Sequence, residues 1–165
     1  MLDGMSIRKN CDLDTKSGRL IGYVDLGNGQ STLDTEETGL AGDALVVMAV
    51  GVAAPRKVPF AYFLNNGLTG EALQNILREA IAQLTECSAN VVAVVCDALA
   101  VNVSMGKLLG CRIHESNSDS FQTSFAHPDK PAQRISLIFD AAHGLKLLRN
   151  LLGDKKSPTQ EVLRK

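Results

Sequence analysis

Val91-Val92-Ala93-Val94-Val95-Cys96-Asp97 decides how the rest of the chain is read. Six residues that favour a buried strand run straight into one carboxylate. Asn102 to Leu109 then reads as a short helix, closed by Gly110, the residue type that ends helices in the left-handed conformation. A continuous apolar strand of this kind belongs to a sheet covered on both faces. In open α/β sheets, ligands gather at the carboxyl ends of strands. Asp97 stands at such an end, where an acidic side chain suits a hard cation. A turn or helix-capping role fits the same position equally well.

Working outward, Leu73, Ile76, Leu77, Ala80, Ile81 and Leu84 recur at helical spacing and make one apolar stripe. Thr69 is placed to cap that helix, and Glu71 suits its positive end. Upstream, Leu45 to Val52 is a buried strand, and Lys57 to Leu64 extends it or adds a short strand after the Pro55 break. Leu20 to Leu26 reads as an earlier strand, stopped by Gly27-Asn28-Gly29. Asp3 to Arg8 reads as the end of a first strand entering a turn. Asn10 to Gly18 is polar and turn-rich, and Gln30 to Asp43 reads as a solvated acidic loop. Downstream, Arg112 to Arg134 is polar, aperiodic and broken by Pro128 and Pro131. It reads as a functional or disordered loop, because structureless stretches of that length are uncommon in compact domains. Ile135 to Phe139 is a last strand ending in Asp140, and Ala141 to Leu152 a last helix stopped by Gly153.

The predicted order is three β segments, then α, β, α, β, α. Early strands without intervening helices form an antiparallel meander, and later strands joined through helices run parallel. The fold class is therefore α/β, a mixed sheet of three antiparallel strands and then parallel strands, with flanking helices. The ribonuclease H-like fold has this layout, and other α/β folds share the pattern. In that layout the first strand is central and Val91–Cys96 lies next to it, so that Asp3 and Asp97 face one another.

The chain has 165 residues, 45% hydrophobic and 21% charged, with a formal net charge of -1. One domain with a real core is expected. The balance argues against a dedicated nucleic-acid module, which is usually basic, and leaves open a nuclease core with an acidic metal site. No apolar run approaches the 18 residues or so of a membrane span, and no signal peptide is evident at the N-terminus. Cys11, Cys87, Cys96 and Cys111 lack paired spacing, which favours free thiols in a reducing compartment over a zinc site. His114, His127 and His143 are scattered.

Two-metal phosphoryl transfer needs several oxygen ligands converging on cations about 3.5–4 Å apart. Asp3 and Asp97 are the candidate pair, with Asp140 as an accessory metal ligand, and Mg²⁺ or Mn²⁺ as the ions. Each acid also has an ordinary reading. Asp3 is a surface charge near the terminus, and Asp97 and Asp140 are turn or capping residues before helices. His143, one turn after Asp140, is read first as a satisfied, half-buried histidine and second as a group that orients a carboxylate. Lys146 and Arg149 read as a solvated helix face, as do Glu71, Glu79 and Glu86 off the apolar stripe of their own helix.

Several segments together resemble the catalytic core of P-element-type DNA transposases, the THAP-domain transposases among them. They are Asp3-Gly4-Met5-Ser6-Ile7-Arg8-Lys9, Gly22-Tyr23-Val24-Asp25-Leu26-Gly27, Lys57-Val58-Pro59 and Gly67-Leu68-Thr69-Gly70. Cys96-Asp97 with Asn102 and Met105 to Gly110 continues the series. Phe139-Asp140-Ala141-Ala142-His143-Gly144-Leu145-Lys146-Leu147-Leu148-Arg149-Asn150 completes it. The resemblance covers nearly the whole chain in order; Ala98 departs from it, standing where the family usually has glycine. It implies a ribonuclease H-like core over residues 1–153 and a charged tail over 154–165. It also implies a DDE-type acidic triad with its first two members on Asp3 and Asp97. The third acid and the GTP-binding insertion belong to a full-length parent beyond this chain. The implied parent is nuclear, has no membrane association, and cuts and joins DNA with Mg²⁺; the resemblance leaves open a homo-oligomer of the parent, and the fragment alone is expected to be inactive. A domesticated, non-catalytic interaction domain is the alternative.

Overall fold

The structure is a computed structural model that describes residues 1–27, 39–113 and 120–154. Most of the expected Gln30–Asp43 loop, the stop at Asn28, His114 and the tail from 155 onward lie outside the described residues.

Strand β1 (Leu2–Ser6) is followed by a short hairpin of β2 (Asp12–Asp14) and β3 (Arg19–Ile21). The turn between them is closed by Asp14, which accepts from the Lys16 amide at 3.0 Å and from the Ser17 hydroxyl. Those bonds hold the Asp14 carboxyl below its ordinary pKa. The expected strand Leu20–Leu26 is thus divided. Its first residues pair back onto Asn10–Gly18, and Asp25 bridges to Leu64. Gly22 makes the break, at φ +106°, where a Cβ would lie 1.9 Å from the Asn10 carbonyl oxygen. Only glycine fits that crossing.

Strands β4 (Asp43–Val50) and β5 (Lys57–Asn65) form an antiparallel pair with a bulge at Val47/Met48. Lys57 onward is therefore a separate strand of nine residues, not an extension of the previous one. The ladder order is β1-β4-β5. Helix α1 (Gly70–Glu86) begins at Thr69, whose hydroxyl accepts from the Ala72 amide at 3.1 Å. Leu73, Leu77, Ala80 and Ile81 are its buried stripe, as the periodicity predicted.

Strand β6 (Ala93–Cys96) and helix α2 (Ala100–Leu108) follow, with Gly110 at φ +96° just beyond. The Arg112–Arg134 stretch is not a plain loop. Arg112 bridges to Gln122, and β7 (Ser124–Ala126) pairs antiparallel with β8 (Arg134–Phe139). Three residues of strand are too few to leave a period, so composition alone misreads them. Strand β6 pairs parallel with β8, giving a second ladder, β6-β8-β7. Helix α3 (Ala141–Asp154) closes the described chain and runs through Gly153.

The architecture is the expected α/β one, with antiparallel strands first and a parallel crossover later. The expected neighbourhood of the first strand and β6 also holds: β1 lies beside β6. No ladder joins the two among the described residues. One core binds the halves, since Leu2, Val47, Leu73 and Ile81 belong to the same buried cluster as Val94, Met105, Phe125 and Leu137. Because side chains alternate along a strand, one face of β1 enters that core and the other does not. Among the described residues, no helix is long and apolar enough to cross a membrane.

Candidate functional site

Asp97 and Asp140 end neighbouring parallel strands. Cys96 pairs with Phe139, and the Asp140 amide donates to the Cys96 carbonyl at 2.8 Å. The two acids nevertheless do different work. Asp140 Oδ1 accepts from the Ala142 amide at 2.9 Å, and its carbonyl accepts from Gly144, so it caps the first turn of α3. Asp97 Oδ1 accepts from the Leu99 amide at 3.1 Å and from the Asn102 side chain. The N-cap of α2 itself is Leu99, without a side-chain cap. Both donors converge on one oxygen of Asp97, which leaves Oδ2 without a partner among the described residues.

Asp97 also opens onto a groove of about 340 Å³ at the carboxyl rim of the sheet, between β1 and β4 on one side and α1 and α2 on the other. Ser6 and Asp43 line its far end, and the Ser6 hydroxyl donates to Asp43 Oδ1 at 2.9 Å. Two buried asparagines line it as well, Asn65 and Asn102. Asn65 Oδ1 accepts from the Gly67 amide at 3.2 Å, which fixes its amide group. Sequence reading took Asn102 only as part of a motif and passed over Asn65. Its position at the end of β5, before the Asn66-Gly67 turn, was the available signal.

Asp3 is exposed, on the opposite face of β1 from the buried Leu2. It belongs to a strand beside β6, yet it does not share the groove with Asp97. Among the described residues, no group of three or more His, Cys, Asp or Glu side chains is placed to hold a metal ion. His143 is half-buried, as expected, but its Nε2 is buried without a partner among the described residues, so it is not fully satisfied there. Lys146 and Arg149 are exposed on α3, and Glu71, Glu79 and Glu86 are exposed on α1.

The thiol before Asp97 is inert by environment. Burial pushes Cys96 up to about 12, and the neighbouring Asp97 charge adds to the shift. Burial also raises Cys111. All four cysteines are free, as expected from their spacing. His127, one of the scattered histidines, is a buried clasp: Nδ1 accepts from the Asp129 amide at 3.1 Å, so Nε2 carries the proton toward the Thr85 hydroxyl at 3.2 Å.

The profile of the TNP-like, RNase H N-terminal domain family matches residues 1–110. The chain belongs to that family. It is 35% identical over 150 residues to the human DNA transposase THAP9, a match covering 91% of this chain and 16% of that protein. Among solved structures, it is similar to the Drosophila P element transposase strand transfer complex. That match has a TM-score of 0.64 at 21% identity and covers 90% of this chain and 27% of the other. The fold is accordingly ribonuclease H-like, and the chain is a domain related to the P element and THAP9 transposases. It spans under a third of either relative.

Proposed function

We propose that this chain is part of a DDE-type transposase catalytic domain whose parent protein cleaves and transfers DNA strands with Mg²⁺ or Mn²⁺. The observation that carries the reading is the 35% identity to a DNA transposase across almost the whole chain, with Asp97 at the sheet rim holding one free carboxylate oxygen. In this reading Asp3 and Asp97 are metal ligands, Asp140 is an accessory one, DNA is the partner, and the nucleus is the place of action. Self-association and GTP binding enter only as properties of the parent.

A divalent ion of this class takes about six oxygen ligands. The described residues do not supply such a set, because Asp97 offers one free oxygen, Asp140 is engaged as a cap and Asp3 does not line the groove. The chain alone therefore lacks the ligands for a step through a metal. Metal-dependent nicking of DNA by the isolated chain is expected to be absent. Robust nicking abolished by Asp97→Ala would overturn that expectation.

The same sparse donor set favours a second reading, a domesticated, non-catalytic interaction domain. A Mn²⁺ titration followed by melting temperature separates the two. An ion that binds only the folded state raises stability by about 2.7 kcal/mol at one hundred times its dissociation constant. A rise at millimolar Mn²⁺ that disappears in Asp97→Asn supports the transposase reading. No rise in the parent chain and no difference in the variant supports the interaction domain.

A further inference from the structure

We propose that helix α3 pairs with the α3 of a second copy of this chain, the two helices running antiparallel and crossing at Leu148. The inference stands apart from the DNA reading above. Near the start of α3, His143 and Gly144 are half-buried, and every described side chain from Leu145 to Leu152 is exposed. At 3.6 residues per turn, Leu145, Leu148, Leu151 and Leu152 fall with Gly144 in about a third of the circumference. His143, Lys146, Arg149 and Asn150 lie outside that arc. The four leucines are between 52% and 67% exposed, whereas the stripe of α1 is buried. A helix of this length is marginal in water on its own, and an amphipathic face stabilises it only when something covers that face.

Gly144 is an independent observation on the same arc. A glycine inside a helix is less stable than an alanine there, so its place on the apolar face calls for a reason. Nothing lies within 4 Å of the position its Cβ would take. In an antiparallel pair crossing at Leu148, Gly144 lies opposite the partner's Leu152, and Leu145 lies opposite the partner's Leu151. Large then meets small, which lets two helix faces interdigitate. The arrangement is twofold, so each contact is made twice and the pair closes on itself. The chain's own remaining parts do not supply this cover. The stripe of α1 is spent in the core, and residues 155–165 hold only Val162 and Leu163 as large apolar residues. The leucines of both copies, with the Arg149 stems beside them, remove on the order of 1,000 Å² from water. That is the lower end of specific interfaces, so the dimer is a weak one that forms at micromolar concentrations or above.

The test is sedimentation equilibrium of the full chain from about 1 to 200 μM, with far-ultraviolet circular dichroism over the same range. The expected result is a monomer–dimer equilibrium in which helicity rises as the dimer forms. Leu148→Glu alters an exposed residue, so the fold should persist, with Cys96 and Cys111 still protected from iodoacetamide. It should remain a monomer across the range. Gly144→Ala is the sharper variant. Alanine is the better helix former, so a lone α3 gains helicity. The added methyl occupies the space for the partner's Leu152, and dimerisation should weaken roughly tenfold. Asn150→Glu, off the apolar arc, should leave the equilibrium unchanged. A monomer at every concentration overturns the proposal, and so does a dimer that survives Leu148→Glu. A dimer tightened by Gly144→Ala overturns the crossing at Leu148. Helicity that rises only on phosphatidylserine vesicles, with no dimer, overturns the proposal in favour of a lipid surface.

Discussion

The two faces of the first ladder differ in what they are given to touch. On one face Leu2, Leu45 and Val47 meet the leucines of α1 and join a core that continues to Met105 and Phe125. On the other, Asp3, Val46 and Tyr62 stand in one cross-strand row, and Tyr62 is 73% exposed. The strands are the same strands, and their residues are similarly apolar. What separates the faces is that α1 and α2 cover only one of them. The stability of this chain is therefore one-sided, and Asp3 stands in the row of the exposed Tyr62.

The widest separation is expected from Phe125→Ala. Phe125 is 1% exposed and is the largest fully buried side chain. Removing a buried phenylalanine costs about 3–5 kcal/mol, part of it for the cavity left behind. Urea unfolding should show a midpoint far below that of the parent chain, with an unchanged slope.

Gly22→Ala challenges the comparison, because Gly22 belongs to neither face. Its new Cβ would meet the Asn10 carbonyl oxygen at 1.9 Å, in a backbone conformation that alanine avoids. A loss of about 2 kcal/mol is expected, with hydrogen exchange accelerated first in the β2–β3 hairpin. A loss below about 0.5 kcal/mol would mean that the hairpin moves independently of the sheet.

Thiols report the same asymmetry without mutation. Cys96 and Cys111 are buried, and Cys11 and Cys87 are exposed. Iodoacetamide at pH 8 should modify the second pair and spare the first. Cys96 also gives a pH dependence. Its folded-state value, about 12, lies above the ordinary 9.0. The unfolded chain therefore releases that proton first. The stability contributed by the neutral thiol is complete below pH 9 and is lost as pH rises toward 12. Cys96→Ala should flatten that decline.

At the helix start, Thr69→Ala removes the acceptor for the Ala72 amide. About 1 kcal/mol is expected, read as a lowered melting temperature.

Long periodic segments were legible in the sequence, and short or shared ones were not. The α1 stripe, its Thr69 cap, the strand into Cys96 and the Gly110 stop all follow from local chemistry that tertiary packing reinforces. The hairpin of β2 and β3 was hidden because Gly22 breaks what reads as one strand from Leu20 to Leu26. Strand β7 was hidden because three residues carry no period, and its identity comes from β8 alongside it. For the site, Asp97 was legible from its position at a strand end. Its orientation was not, because Asn102 and the Leu99 amide turn its Oδ1 toward α2. Asn65 was passed over as a groove residue, since its one local signal, a place just before the Asn66-Gly67 turn, also fits an ordinary turn asparagine.

The smallest effect is the most informative about the open face. Tyr62→Ser exchanges a large ring for a hydroxyl in the row of Asp3 and Val46. If that face is solvated in the isolated chain, the change should stay within about 0.5 kcal/mol, the usual range for surface positions. Urea unfolding at several protein concentrations checks it. A loss above about 1.5 kcal/mol would mean that the ring is buried in solution, and a loss that grows with concentration would mean that a second copy buries it. Either outcome would place Asp3 under a covered surface and remove the contrast between the faces, because the two acids of β1 and β6 would then differ in partner and not in exposure.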